Sequence, residues 1–195
     1  MAGRKFVVFV VCLLPLLWLL TRLVTGQLGP DPVKVLILSL GFWAITFLWL
    51  TLAVSPLKRL TTVTELLRYR RMLGLYCWFY ASLHMLAVVH FIVAWDVAIF
   101  VEEFSERPYM ALGIIAWLLL LPLGLSSNRW AIKKLGRHWK RLHQLVYIIA
   151  ACVLLHFWWL VRSDYAELLL YASVLFVLFA ERLWLFFKRN QRFSN

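Results

Sequence analysis

Six long apolar runs, separated by short polar segments, make up the chain: about 6 to 24, 33 to 54, 72 to 94, 109 to 125, 142 to 161 and 165 to 187. Each is of spanning length, because a helix rising about 1.5 Å per residue needs about 20 residues to cross a hydrocarbon core of about 30 Å. The pattern predicts an all-α membrane protein, a six-transmembrane-helix bundle forming one domain over residues 1–195. Gly26, Gly29, Pro30 and Pro32 break the chain after the first run, and Ser55 and Pro56 are expected to end the second. The first run follows Arg4 and Lys5 without a small-residue cleavage site, which predicts a retained span and not a removed signal peptide.

Composition agrees with that pattern. A chain that is 64% hydrophobic and 15% charged is not an ordinary soluble domain, whose charged share is near a quarter. The net charge of +12 does not point to nucleic acid, because the basic residues are confined to the short segments between apolar runs and read as topology determinants. Cys12, Cys77 and Cys152 lie far apart inside apolar runs, so they read as small apolar fillers and not as a disulfide framework or a zinc site. No CxxCH sequence is present to attach a haem covalently.

The polar segments alternate in charge. Residues 1–5, 55–71, 126–143 and 181–195 carry +2, +4, +6 and +3, whereas residues 21–34, 95–108 and 162–167 carry +1, −3 and −1. Six spans with both termini in the cytoplasm produce this alternation. The third and fifth spans then run outward, which puts His143 on the inner side and His84 and His156 in the outer half. Glu181 and Arg182 read either as an interfacial pair or as the solvated edge of the last span.

The candidate chemistry lies in HQLVYIIAACVLLH, from His143 to His156, and in LGLYCWFYASLHMLAVV around His84. A polar side chain within a bilayer is costly and points to function. At helical rise, His143 and His156 lie about 20 Å apart, one per leaflet. Neutral imidazole is a good ligand for iron, so haem held by histidines from two helices accounts for them economically, with His84 and His156 on one haem and His143 on a second. The competing account has each imidazole satisfied by a carbonyl or hydroxyl across a helix interface, and His143 at headgroup level. On an ideal helix His143 and His156 fall about 140° from a common face, which calls for tilt, a π-bulge or different approach directions. His90 is rotated about 240° from His84 and is expected near the outer interface, and His138 in solvent. Thirteen residues before His84 stands Arg71, suited to pairing a haem propionate or phosphate and equally, with Arg70, to anchoring the span. No polar run lines a substrate path and no carboxylate lies deep in a span, which weakens a pump or transporter.

These residues carry a resemblance. The stretches GPDPVK near Gly29, RRMLGLYCWFYASLH ending at His84, RPYMALGIIAWLLLLPLGLSS from Arg107 and LGRHWKRLHQLVYIIAACVLLH from Leu135 resemble the ferric-reductase-like transmembrane superfamily. Within it they resemble the haem-binding membrane subunits of bacterial methionine sulfoxide reductase systems. The resemblance implies a multi-pass b-type cytochrome of the bacterial inner membrane, an electron-transfer subunit and not the catalytic one. It would pass electrons from quinone to a periplasmic molybdenum-containing methionine sulfoxide reductase subunit that repairs oxidised proteins. It further implies haem b, one or two, with ligand positions on His84, His143 and His156, and FMN. The superfamily often has two histidines in its third helix; here Arg71 replaces one. With no GxGxxG and no soluble domain, the chain does not resemble the NADPH-fused reductases. The basic inner face around Arg68 to Arg71 and His143 is the expected entry for electrons from quinone or flavin, and the acidic loop Glu102 to Glu106 the place to steer a partner. The alternatives are a transmembrane ferric or copper reductase, and a small transporter or assembly factor using its histidines for metal ions or protons.

Overall fold

The computed structural model describes residues 2–161 and 165–194, and those residues form helices and turns with no strand. Arg162 and Asp164, counted above in the charge of the last loop, lie outside the described residues. In chain order the helices are α1 (Ala2–Val24), α2 (Pro32–Thr61), α3 (Leu67–Phe91), α4 (Val97–Glu106), α5 (Pro108–Leu125), α6 (Arg129–Leu135), α7 (Arg137–His143), α8 (Leu145–Leu160) and α9 (Ala166–Ser194). Six stretches are long and apolar enough to cross a membrane: Gly3–Val24, Pro32–Thr61, Thr64–Phe91, Pro108–Leu125, Arg137–Leu160 and Ala166–Leu185. The protein is a multi-pass helical membrane protein.

Local chemistry sets the helix ends. Asp31 caps α2 by accepting from the Lys34 N–H at 3.0 Å, and Pro32 starts the helix where its missing N–H is harmless. Contrary to expectation, α2 does not stop at Ser55 and Pro56 but runs on to Thr61, ending where Thr62 turns left-handed at φ 58°. A proline's fixed φ is itself helical, so within a packed membrane helix it deletes one backbone bond without ending the helix. The acidic loop folds into α4, capped by the Asp96 side chain accepting from Ala98 N–H at 2.7 Å, an element the hydropathy pattern does not announce.

The fifth span is two helices. Between α7 and α8 the Gln144 N–H bonds the Arg141 carbonyl and the Tyr147 N–H bonds the Gln144 carbonyl, both at 3.1 Å and both i to i+3. Such 3₁₀ winding turns the chain by about 120° per residue instead of about 100°. The step is thus tighter than α, the reverse of a π-bulge, and it rotates His143 part of the way toward the face that carries His156.

Two antiparallel hairpins form the core, α2 with α3 and α5 with α8, joined where α3 meets α5. α1 and α9 pack outside them and expose Phe6, Trp18, Phe176 and Trp184, as helices facing lipid do. One end of the bundle carries Glu102, Glu103 and Glu106 on α4 and is called the acidic end. The opposite end carries Lys58, Arg59, Arg70, Lys133 and Lys134 and is called the basic end.

α1 is held by a hydroxyl inserted into its own ladder. Pro15 sits inside this helix, and beside it the fully buried Tyr80 donates to the Cys12 carbonyl at 2.9 Å while accepting from Leu16 N–H at 3.2 Å. One turn away, Tyr76 donates to the Phe9 carbonyl at 2.8 Å. Tyr80→Phe keeps the stacking on Phe47, whose ring centre is 5.3 Å away, and orphans two buried backbone groups. The expected loss is about 1 kcal/mol, between the roughly 0.6 of an average interhelical bond in lipid and the 1–3 of an unsatisfied buried group. It is read as a lower unfolding midpoint in a mixed-micelle denaturation series; an unchanged midpoint would mean that the helix closes its own ladder.

Candidate functional site

Near the acidic end, α3 and α8 bring the His84 and His156 rings together at right angles, with ring centres 6.4 Å apart and planes at 85°. Each ring is fixed by a helix of its own hairpin. His84 Nδ1–H donates to the Ile37 carbonyl of α2 at 2.9 Å, and His156 Nδ1–H donates to the Tyr109 carbonyl of α5 at 2.6 Å. A carbonyl can only accept, so the proton is on Nδ1 and the lone pair of each neutral ring is on Nε2. The carbonyl contacts weighed as an alternative to ligation are thus present, and they leave one nitrogen of each ring available.

The close approach of ring to helix needs glycine. A Cβ at Gly41 would stand 3.2 Å from the His84 ring, and one at Gly113 would stand 2.9 Å from His156 Cε1. The arrangement is a repeat: each histidine lies 47 residues after its carbonyl, and Ile37, Gly41 and His84 recur 72 residues later as Tyr109, Gly113 and His156. The same shift of 72 residues carries Arg71 onto His143. Residue types alone did not single out Ile37, Gly41, Tyr109 or Gly113; the matched spacing of the two glycines to the two histidines was the available signal.

A cavity of about 970 Å³ opens between the hairpins, lined by both histidines, both glycines, Trp43 and Trp117 among others. That is the upper range of cofactor pockets. Two metal–imidazole bonds of about 2 Å each, plus a ring radius of about 1 Å on either side, separate paired ring centres by roughly 6 Å. The observed pair therefore suits one metal atom bound between two Nε2 atoms, with each Nδ1–H held by a carbonyl as ligating histidines usually are. No group of three or more His, Cys, Asp or Glu able to hold an ion occurs among the described residues, so this pair offers a metal only two protein donors. A porphyrin, which brings four equatorial nitrogens of its own, fits this donor set; a bare ion does not.

The mouth of the cavity is polar. Lys34 and Arg107 line it together with Asp31, Glu103 and Glu167. Arg107 pairs with Glu103 at 3.0 Å and donates to the Tyr109 hydroxyl at 3.3 Å. That hydroxyl, then Glu103 and Glu106, raise the guanidinium pKa above its ordinary value, so Arg107 stays cationic.

His143 is not part of this pair. It ends α7, stacks on Trp139 with ring centres 3.9 Å apart, and donates from Nδ1 to the Trp139 carbonyl at 3.1 Å. Its Nε2 is buried without a hydrogen-bond partner. Arg71 is exposed, whereas Arg70 is half buried and lies within electrostatic reach of His143. His90 is exposed and accepts from Trp95 Nε1–H at 3.1 Å, and His138 is exposed. Glu181 and Arg182 form an ion pair at 3.8 Å, of the two readings the pair and not a solvated edge, and Glu181 also pairs with Arg59 across to α2.

Comparison with known proteins places these residues in context. The profile of the family described as "Ferric reductase like transmembrane component" matches residues 40–155. The chain is 45% identical over 160 residues to the "Protein-methionine-sulfoxide reductase heme-binding subunit MsrQ" of Xanthomonas euvesicatoria pv. vesicatoria (strain 85-10), covering 82% of this chain and 73% of that one. It is 39% identical over 208 residues to the protein of the same name from Polaromonas naphthalenivorans (strain CJ2), covering 100% and 95%. No solved structure matches.

Proposed function

This chain belongs to the ferric-reductase-like transmembrane family and within it to the MsrQ haem-binding subunits, and from that premise we propose a b-type cytochrome of the bacterial inner membrane. It carries electrons from the quinone pool to a periplasmic molybdenum-containing methionine sulfoxide reductase subunit, for repair of oxidised periplasmic proteins. Both termini are cytoplasmic, so the basic end is the inner one, residues 1–195 act as one domain, and haem b is the resident cofactor. FMN enters by family likeness alone. The observation that carries the reading is the His84 and His156 pair, with ring centres 6.4 Å apart across an apolar cavity and both Nδ1–H groups on backbone carbonyls.

Haem supplies one-electron chemistry when bound, at a potential set by its axial ligands, its burial and the hydrogen bonds around it. The residues of this chain do the rest. His84 and His156 present two lone pairs from opposite hairpins, and the Ile37 and Tyr109 carbonyls hold the rings in the tautomer that keeps Nε2 free. Gly41 and Gly113 admit the rings, while Trp43, Trp117 and their apolar neighbours exclude water. His143 offers a third Nε2 toward the basic end, with Arg71 at the register position related to it by the internal repeat. The acidic α4 at the outer end supplies the charge that steers a soluble partner.

Haem-to-protein stoichiometry with the absorption spectrum, on wild type and on His143→Ala, is the direct test. The expected result is a Soret band in both, with the stoichiometry of the variant lower if His143 holds a second haem. A colourless wild type produced with adequate haem rejects the cytochrome reading. Dithionite-reduced protein is expected to be reoxidised by the periplasmic molybdoenzyme; reoxidation by chelated iron alone would replace that partner with external metal.

A further inference from the structure

The cavity between the hairpins is apolar through its depth and charged at one end. Among its described lining residues the charged ones are Asp31 and Lys34 at the start of α2, Glu103 and Arg107 where α4 gives way to α5, and Glu167 at the start of α9. All five lie at the acidic end. Deeper in, the lining includes Leu48, Cys77, Ala81 and Ile149. A flat apolar ligand that also carries acid groups can enter such a space in only one sense. Its charge would be unpaired in the depth, whereas the mouth offers it water and cations.

The two cations stand one on each side of the histidine pair. Lys34 precedes Ile37 on α2 by three residues, a rise of about 4.5 Å, and Arg107 directly precedes α5 and its Tyr109. The Ile37 and Tyr109 carbonyls are those that hold His84 and His156. Each hairpin thus carries one cation on the mouth side of its own imidazole.

Both cations have donors to spare. Arg107 meets Glu103 and the Tyr109 hydroxyl through Nη1 alone, so Nε and Nη2 have no partner among the described residues. The Lys34 ammonium forms no ion pair among the described residues, because Asp31 Oδ1 accepts from the Lys34 backbone N–H instead. Three carboxylates share the mouth with these two cations, so direct contact, and not net charge, has to hold an acid group there.

We propose that Lys34 and Arg107 are the propionate anchors of the haem held by His84 and His156, each cation taking one acid group on its own hairpin's side. The inference rests on the haem reading above and goes beyond it by fixing which way the macrocycle points: acid edge to the acidic end, hydrocarbon edge into the apolar depth. Lys34 and Arg107 are positioning residues. The edge they hold is the part of the macrocycle nearest to a soluble partner approaching that end.

The test loads the full chain with haemin or with haemin dimethyl ester, whose acid groups are blocked, and follows release to excess apomyoglobin. Wild type is expected to hold haemin longer than the ester. Both side chains are exposed, and an exposed ion pair is worth about two- to fivefold in affinity. Lys34→Gln and Arg107→Gln should therefore each speed haemin release by about that factor, and together by about tenfold, with release of the ester unchanged. Lys34→Arg should retain haemin as wild type does. Glu103→Gln, which frees Arg107 Nη1 and removes a competing carboxylate, should slow haemin release, a gain that a merely structural role does not predict. The His84 and His156 absorption, retained in every variant, reports that the bundle is folded. Equal acceleration of haemin and ester would show a packing role and overturn the anchors, as would a wild type that releases both probes alike. A wild type that takes up neither probe sinks the electron-transfer reading itself, whereas bound haemin released at the wild-type rate by both Gln variants sinks only the anchors.

Discussion

Replacing His84 or His156 with Ala is expected to remove most of the reduced-minus-oxidised haem absorption of the purified protein. Each imidazole is one of the two histidine donors that line the cavity among the described residues, and each is pre-oriented by a carbonyl on a rigid helix. Truncating either leaves one donor facing a cavity of about 970 Å³ and, beside it, a carbonyl with no N–H to receive. Loss of an outer-shell partner alone typically costs a metal site about 10–100-fold in affinity, and loss of the ligand itself exceeds that. The two variants should look alike, because the internal repeat gives each histidine the same role on its own side. His143→Ala serves as the contrast, since that residue lies outside the pair and its removal should leave this component of the spectrum in place. An intact spectrum in both His84→Ala and His156→Ala would reject the pair as axial ligands.

The second large effect is expected from one added methyl group. Gly113→Ala puts a Cβ 2.9 Å from His156 Cε1 and 3.0 Å from Nδ1, on the same helix that fixes the ring through the Tyr109 carbonyl at 2.6 Å. The ring cannot keep that hydrogen bond and avoid the methyl group, so it must tilt, and Nε2 tilts with it. Overpacking of this kind costs about 1–3 kcal/mol, or roughly 5- to 150-fold in affinity. Gly41→Ala meets His84 at 3.2 Å and 3.2 Å, a contact that the ring relieves by a shift of a few tenths of an ångström, so its effect should be smaller. Haem transfer to excess apomyoglobin measures both: faster transfer from the Gly113 variant than from the Gly41 variant, and from both than from wild type. Equal rates for all three proteins would show that the glycines serve helix packing and not the rings.

The parts of this structure that were legible from sequence have a common physical origin. A spanning helix is dictated by its own residues, because lipid allows no backbone group to go unpaired and offers no partner but the helix itself. Hence all six spans appear where the apolar runs lie, to within a few residues at most ends. The discrepancies arise where a local cue competes with packing. Pro56 reads as a stop, yet α2 continues because neighbouring helices hold its flanks. Gln144 carries no winding signal of its own, and only the structure shows the 3₁₀ step that turns His143 toward the face of His156. The helix α4 was invisible to hydropathy because it does not span, and its start depends on a single cap at Asp96.

What the sequence by itself determined is the six spans, the alternation of charge between them and the positions of the histidines along them, since each of these depends on residues counted along one helix. Which side chains meet was decided only by tertiary structure. The choice of Arg70 over Arg71 as the residue turned inward to Ser55, the carbonyl that orients each imidazole and the glycine that admits it all depend on the rotation of one helix against another. That rotation is a property of the packed interface, to which both helices contribute and which neither one encodes alone.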